Sequence, residues 1–131
     1  MSAILVVDDD DAIRDTLYDL FSEDHLCHVA ATAERALEWL ARDVYDVVLT
    51  DISMPGLSGV ELLSLVRQNQ PQTPVIIISG IQDQGHAKGL ITLGAFDYLL
   101  KPFRLEDVER GVARAIEYHA NLLKQERGRD S

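Results

Sequence analysis

Three stretches of this chain are continuously apolar and rich in β-branched residues: Ala3–Val7 (AILVV), Asp46–Thr50 (DVVLT) and Pro74–Ser79 (PVIIIS). A strand with one face in water alternates apolar and polar residues. These do not, so they belong to a sheet covered on both faces, the habit of parallel sheets flanked by helices. Two further runs, Cys27–Ala31 (CHVAA) and Phe96–Leu100 (FDYLL), bring the expected strands to five.

The segments between the runs have helical period. Asp11–Glu23 places Ile13, Leu17, Leu20 and Phe21 on one stripe, and Ala33–Arg42 does the same with Ala33, Ala36, Leu37 and Leu40. Ser58–Asn69 uses Val60, Leu63 and Val66, with Leu62 beside them and Ser58 as its N-cap. Gln82–Gly94 is a weaker helix, because Gly85 and Gly89 each lower propensity by roughly 1 kcal/mol relative to Ala. A last helix runs from Leu105 towards Arg127. Alternating strands and helices over 131 residues predict a single α/β domain. Its architecture is a doubly wound five-stranded parallel sheet, with right-handed crossovers and helices on both faces.

Composition narrows the functional classes. A net charge of −10 argues against direct nucleic-acid binding by this domain, since phosphate contacts need clustered Lys and Arg. The one cysteine, Cys27, has no internal partner and reads as a small buried hydrophobe. No apolar stretch approaches the ~20 residues that span a bilayer, and the N-terminus lacks the basic start of a signal peptide. The expected location is the cytoplasm, with no membrane contact. His25, His28, His86 and His119 show no ligand spacing and read as structural or surface residues.

In open α/β sheets the site lies outside the carboxyl ends of the strands. The first strand ends in Asp8 and Asp9, the third in Asp51, the fourth in Ser79 and the fifth in Lys101, whereas the second ends in the uncharged Ala31 and Thr32. Each residue alone is an ordinary turn or cap. Together they place three carboxylates, a hydroxyl and an ammonium on one sheet edge. Asp8, Asp9 and Asp51 suit a hard divalent cation, which relieves their mutual repulsion. Lys101 suits a phosphoryl oxygen, and Ser79 is a donor for another. A carboxylate so placed can attack phosphorus and become an aspartyl phosphate. Asp10 and Asp11 instead stand where the first helix begins, and acids there cap free N–H groups and favour the positive helix end.

The ordered set VVDDD, VVLTDISMPGLSG, VIIISG and GAFDYLLKPF resembles the receiver domain of two-component response regulators, from about Ile4 to about Ile116. The resemblance implies the flavodoxin-like strand order 2-1-3-4-5. By position it implies Asp51 as phosphoacceptor. Asp8 and Asp9 become the acidic pair for Mg²⁺ or Mn²⁺, joined by the backbone carbonyl of Ser53. Lys101 becomes the phosphate-contacting lysine, followed by a cis bond to Pro102. Ser79 and Tyr98 become the switch pair. Pro55 and Gly56 suit a tight turn, and Gly59 suits a close backbone approach. Gly80 stands where alanine is common, and Ser53 and Ile81 occupy the variable positions thought to tune phosphoryl lifetime. The implied partners are a sensor histidine kinase or histidine phosphotransfer protein, and an output domain or effector protein.

The receiver is expected to occupy residues 1–118, with 119–131 a helical extension, tail or start of a linker. Leu105, Val108, Val112, Ala115, His119 and Leu122 recur at 3-4-3-4-3 spacing on a helix roughly 35 Å long at ~1.5 Å per residue. That reads as a frayed terminal helix, a homodimer seam or a connector to an output domain. The expected function is a phosphorylation-controlled switch rather than an enzyme, its chemistry limited to its own phosphoryl transfer and dephosphorylation. The alternative is a Mg²⁺-dependent phosphatase that also forms an aspartyl phosphate. Haloacid-dehalogenase-like enzymes carry a second acid two residues after the nucleophile, where this chain has Ser53. A dinucleotide-binding domain lacks its glycine fingerprint and a nucleotide-binding one its P-loop. A degenerate receiver used only for binding is disfavoured by the intact residue set.

Overall fold

The structure, a computed structural model, describes residues 2–80 and 89–130. The strands β1 (Ala3–Val7), β2 (Leu26–Ala30), β3 (Val47–Asp51), β4 (Val75–Ser79) and β5 (Asp97–Leu100) form one sheet in the order β2-β1-β3-β4-β5. Every pairing is parallel. The helices are α1 (Asp11–Phe21), α2 (Ala33–Arg42), α3 (Gly59–Asn69) and α4 (Leu105–Asp130). A helical turn at 89–92 precedes β5.

The continuous strands are buried on both faces, as their composition demands. On one face Leu5, Val7, Val48, Val75 and Ile77 pack with Ala33 and Ala36 of α2 and Leu62, Leu63 and Val66 of α3. On the other, Ile4, Val6, Leu49, Ile76 and Ile78 pack with Leu17 and Phe21 of α1 and Val108, Val112 and Ala115 of α4. Alternate strand residues thus feed two separate cores, with period two.

Several expected boundaries move by a residue or two. The second strand is Leu26–Ala30 rather than Cys27–Ala31, and Thr32 is the N-cap of α2, its hydroxyl accepting from Arg35 N–H. The third begins at Val47 rather than Asp46, which stands just before it with its N–H donating to the Ala3 carbonyl at 2.9 Å and its carboxylate accepting from the Ala3 N–H at 2.7 Å. It gains Asp51, which pairs with Ile78. The fourth and fifth lose Pro74 and Phe96, which flank their strands. α1 stops at Phe21, where the chain turns towards β2, and α4 continues to Asp130.

The stripe on α4 faces the chain's own sheet. Val108, Val112, Ala115 and His119 are buried, while Leu105 is exposed. The imidazole Nδ1 of His119 lies 2.8 Å from the Asp46 carboxylate. The helix passes without a break through the boundary expected at residue 118. Gly85, His86 and Ile81 lie outside the described residues.

Candidate functional site

The parallel register carries the carboxyl ends of the strands to one edge. Val7 aligns with Ala30 and Thr50, Asp51 with Ile78, and Ser79 with Leu100. The next residues therefore emerge together. Asp8, Asp9 and Asp51 each offer a carboxylate oxygen, and these atoms lie within 4.8 Å of one another. Asp8 and Asp51 are buried and Asp9 is exposed.

Lys101 reaches across from the end of β5. Its Nζ is 3.3 Å from Asp8 Oδ2 and 3.4 Å from Asp51 Oδ2. The Lys101–Pro102 bond is cis. Burial raises the pKa of the Asp8 carboxyl despite the lysine and the Asp10 N–H. Asp51 is raised likewise, by burial first and by the charge of Asp8 second. Burial pulls Lys101 down, but the facing charges of Asp8 and Asp51 outweigh it and hold its ammonium above the usual lysine value. One ammonium among three carboxylates leaves the edge electron-rich.

The residues fit a hard divalent cation. Asp8 Oδ2 is buried and, among the described residues, has no hydrogen-bond partner beyond its ion pair with Lys101. The donor set is all oxygen, as Mg²⁺ and Mn²⁺ prefer. Burial is the main reason both carboxyl groups are raised, and a cation there would offset that cost together with the smaller mutual repulsion of the acids.

The four consecutive aspartates separate by role. Asp8 and Asp9 belong to the cluster. Asp10 is the N-cap of α1, accepting from Ala12 N–H at 2.9 Å, and Asp11 pairs with Arg14 one turn on. Arg14 also donates to the backbone carbonyl of Asp8 at 2.7 Å, fastening the turn that carries the acids.

Ser79 is fully buried at the end of β4, and its hydroxyl has no hydrogen-bond partner among the described residues. Tyr98 is half-buried on β5, packed against the core shared with Ile77. Ser53 is exposed, and its backbone amide faces the Asp51 carboxyl and acts to lower its pKa against the larger effect of burial. Gly59 N–H donates to the Ile52 carbonyl at 3.0 Å. A Cβ on Gly59 would fall 2.2 Å from the Asp51 carbonyl oxygen, so only glycine fits. Ser58 and Glu61 form a capping box that starts α3 beside it.

Comparison with known proteins places the chain in a family. Residues 4–113 match the family described as Response regulator receiver domain. The chain belongs to this family. It is 39% identical over 117 residues to the DNA-binding transcriptional regulator NtrC of Escherichia coli strain K12, covering 88% of this chain and 25% of that one. A response regulator receiver domain protein from Clostridium thermocellum has a TM-score of 0.88 at 30% identity, covering 93% of this chain and 99% of that one. A protein described as an adenylate cyclase, from Rhodopirellula baltica, has a TM-score of 0.95 at 26% identity, covering 99% and 98%. The chain spans about a quarter of the length of the NtrC-type relatives. It is a receiver domain of the phosphoacceptor class that serves two-component signalling, and the phosphatase alternative finds no support in these relatives.

Sequence reasoning missed three features of the receiver. One is Arg14, which holds the first acidic turn. Another is Glu34 of α2, which accepts from Leu57 N–H in the loop after β3 at 2.9 Å. The third is a groove of about 650 Å³ beside Lys101, walled by Ile13 and Thr16 of α1 with Gly80, Pro102 and Phe103. The last two join residues distant in sequence, so no local pattern announces them; Arg14 acts locally, six residues after Asp8, but an arginine in a first helical turn is too ordinary to signal it. No helix among the described residues is long and apolar enough to cross a membrane.

Proposed function

We propose that Asp51 accepts a phosphoryl group from a phosphohistidine on a partner kinase or phosphotransfer protein. The observation that carries this is the Lys101 ammonium set between the Asp8 and Asp51 carboxylates, at 3.3 and 3.4 Å. A free carboxylate oxygen of Asp51 attacks phosphorus. The O–P bond forms, the N–P bond breaks, and the leaving imidazole keeps the electron pair and takes up a proton. Lys101 would then pair with a phosphoryl oxygen in place of one carboxylate. Asp8, Asp9, Asp51 and the Ser53 carbonyl would hold Mg²⁺ or Mn²⁺. When bound, the cation neutralises charge on the carboxylates and on the transferring phosphoryl group.

The switch residues follow from the same edge. The buried Ser79 hydroxyl has a new acceptor to turn towards once Asp51 carries a phosphoryl group. Tyr98, on the adjoining strand, would fill the space it leaves. The groove beside Lys101 gives the phosphodonor an apolar wall next to the acceptor. The extension from residue 119 would lead to an output domain or a partner effector, and the domain acts as a switch without a substrate of its own.

Incubation with Mg²⁺ and a small acyl-phosphate donor, followed by intact mass, tests the reading. The wild type gains one phosphoryl mass and Asp51→Asn gains none. A beryllofluoride titration covers a short-lived product. An unchanged wild type in both assays, or labelling that survives Asp51→Asn, overturns the assignment.

A further inference from the structure

The loop from Ile52 to Ser58 carries both the amide that faces Asp51 and the carbonyl proposed as a metal ligand. Its two ends are fastened to the sheet: Ile52 N–H donates to the Ile78 carbonyl at 3.0 Å, and Gly59 N–H donates back to the Ile52 carbonyl at 3.0 Å. Between them the chain leaves the sheet. There it meets Glu34, in the first turn of α2 and 23 residues away in sequence.

Two consecutive loop residues clasp the Glu34 carboxylate. Leu57 N–H donates to Oε1 at 2.9 Å. Gly56 lies flat against the same group: its φ is +78°, and a Cβ there would fall 2.8 and 2.9 Å from the two carboxylate oxygens. Its positive φ favours glycine, and the missing side chain lets the carboxylate approach closely. The bond from Leu57 is charge-assisted, the stronger kind. Glu34 is exposed and contributes nothing to either core. Its interaction is with the loop.

We propose that Glu34 is a positioning residue of the acceptor site, holding the Ser53–Leu57 loop from outside so that Ser53 stays in register with Asp51 and the cation. This rests on the reading of Asp51 and its neighbours given above. The tether works through hydrogen-bond acceptance rather than through charge at the metal. Glutamine keeps an acceptor oxygen on the same stem and preserves the tether, whereas alanine removes it.

The test is Mg²⁺ affinity of the unphosphorylated 131-residue protein, measured by calorimetric titration for wild type, Glu34→Ala and Glu34→Gln. Thermal unfolding in chelator is recorded beside it. The expected result is a loss of about tenfold in affinity for Glu34→Ala, the lower end for groups that orient metal ligands. Its unfolding midpoint should stay close to wild type, and Glu34→Gln should recover most of the affinity. Equal affinities for wild type and Glu34→Ala overturn the inference, and so does a Glu34→Gln as weak as Glu34→Ala. Failure of the wild type itself to bind Mg²⁺ overturns the acceptor-site reading and this inference with it.

Discussion

Lys101 Nζ stands 3.4 Å from Asp51 Oδ2, and the same ammonium serves Asp8 at 3.3 Å. One cation shared by two buried carboxylates under-compensates both, and each carboxyl is raised from its ordinary value, by burial first. The metal-free protein is therefore destabilised by its own site. Asp51→Asn removes one charge and keeps the shape. Its unfolding midpoint in chelator should rise by about 3–6 °C, the shift roughly 1 kcal/mol produces in a chain of this size. Adding Mg²⁺ should raise the wild type more than the variant. Differential scanning calorimetry with and without the cation measures both.

The division of the four aspartates gives a second expectation. Asp9 belongs to the carboxylate cluster, whereas Asp10 caps α1 through Ala12 N–H. Asp9→Ala should abolish Mg²⁺-dependent labelling. Asp10→Ala should still label and lose about 1 kcal/mol of stability, the usual cost of an N-cap. Asp11→Ala, which removes only an exposed pair with Arg14, should cost less. Urea unfolding alongside mass-detected labelling separates the effects. Equal loss of labelling in Asp9→Ala and Asp11→Ala would refute the division.

These residues show what the linear sequence carries. The strands were legible because a parallel sheet covered on both faces demands unbroken runs such as Val75–Ile78. The edge was legible because parallel strands deliver their terminal residues together, so Asp8, Asp9, Asp51, Ser79 and Lys101 could be read in order. Ser58 announced the start of α3 by its cap. The strand order came from the family resemblance, since periodicity does not rank pairings. The role of the Asp46 carboxylate is not legible, because its partners, Ala3 and His119, lie 43 and 73 residues away. Glu34 left no signal for the same reason. Its residue type is ordinary in a first helical turn, and only the folded loop gives it a second role.

Gly59 is the most constrained position of the acceptor loop. A methyl group there would meet the Asp51 carbonyl oxygen at 2.2 Å and the Ile52 Cα at 2.8 Å, both backbone. Neither can swing aside as a side chain would. Gly59→Ala should therefore shift the β3–α3 connection and cost about 2–3 kcal/mol, in the range of overpacking a filled core. Labelling at Asp51 should fall with it, because the displaced atoms belong to the acceptor residue itself. Gly89→Ala is the control. Nothing lies within 4 Å of a Cβ at that exposed position, and alanine is the better helix former. Chemical unfolding of the two variants should move in opposite directions.

Cys27 supplies a pH dependence remote from the site. It is buried between β2 and its covering helix, 6% exposed, and burial pushes its thiol from 9.0 up to about 11. The unfolded chain therefore releases this proton first. Above pH 9 the unfolded state binds fewer protons than the native state, so stability falls as pH rises. The loss is completed near the native value of about 11. Tyr45, pushed up to about 12 by burial, adds a loss of the same sign at still higher pH. Below pH 9 neither contributes. Cys27→Ala should flatten the decline between pH 9 and 10.5 under reducing conditions and leave the slope near neutrality unchanged. A thiol reagent at pH 8 should label the native protein slowly and the urea-unfolded protein rapidly. A variant that declines as steeply as wild type across that window would show that the buried thiol is not the group responsible.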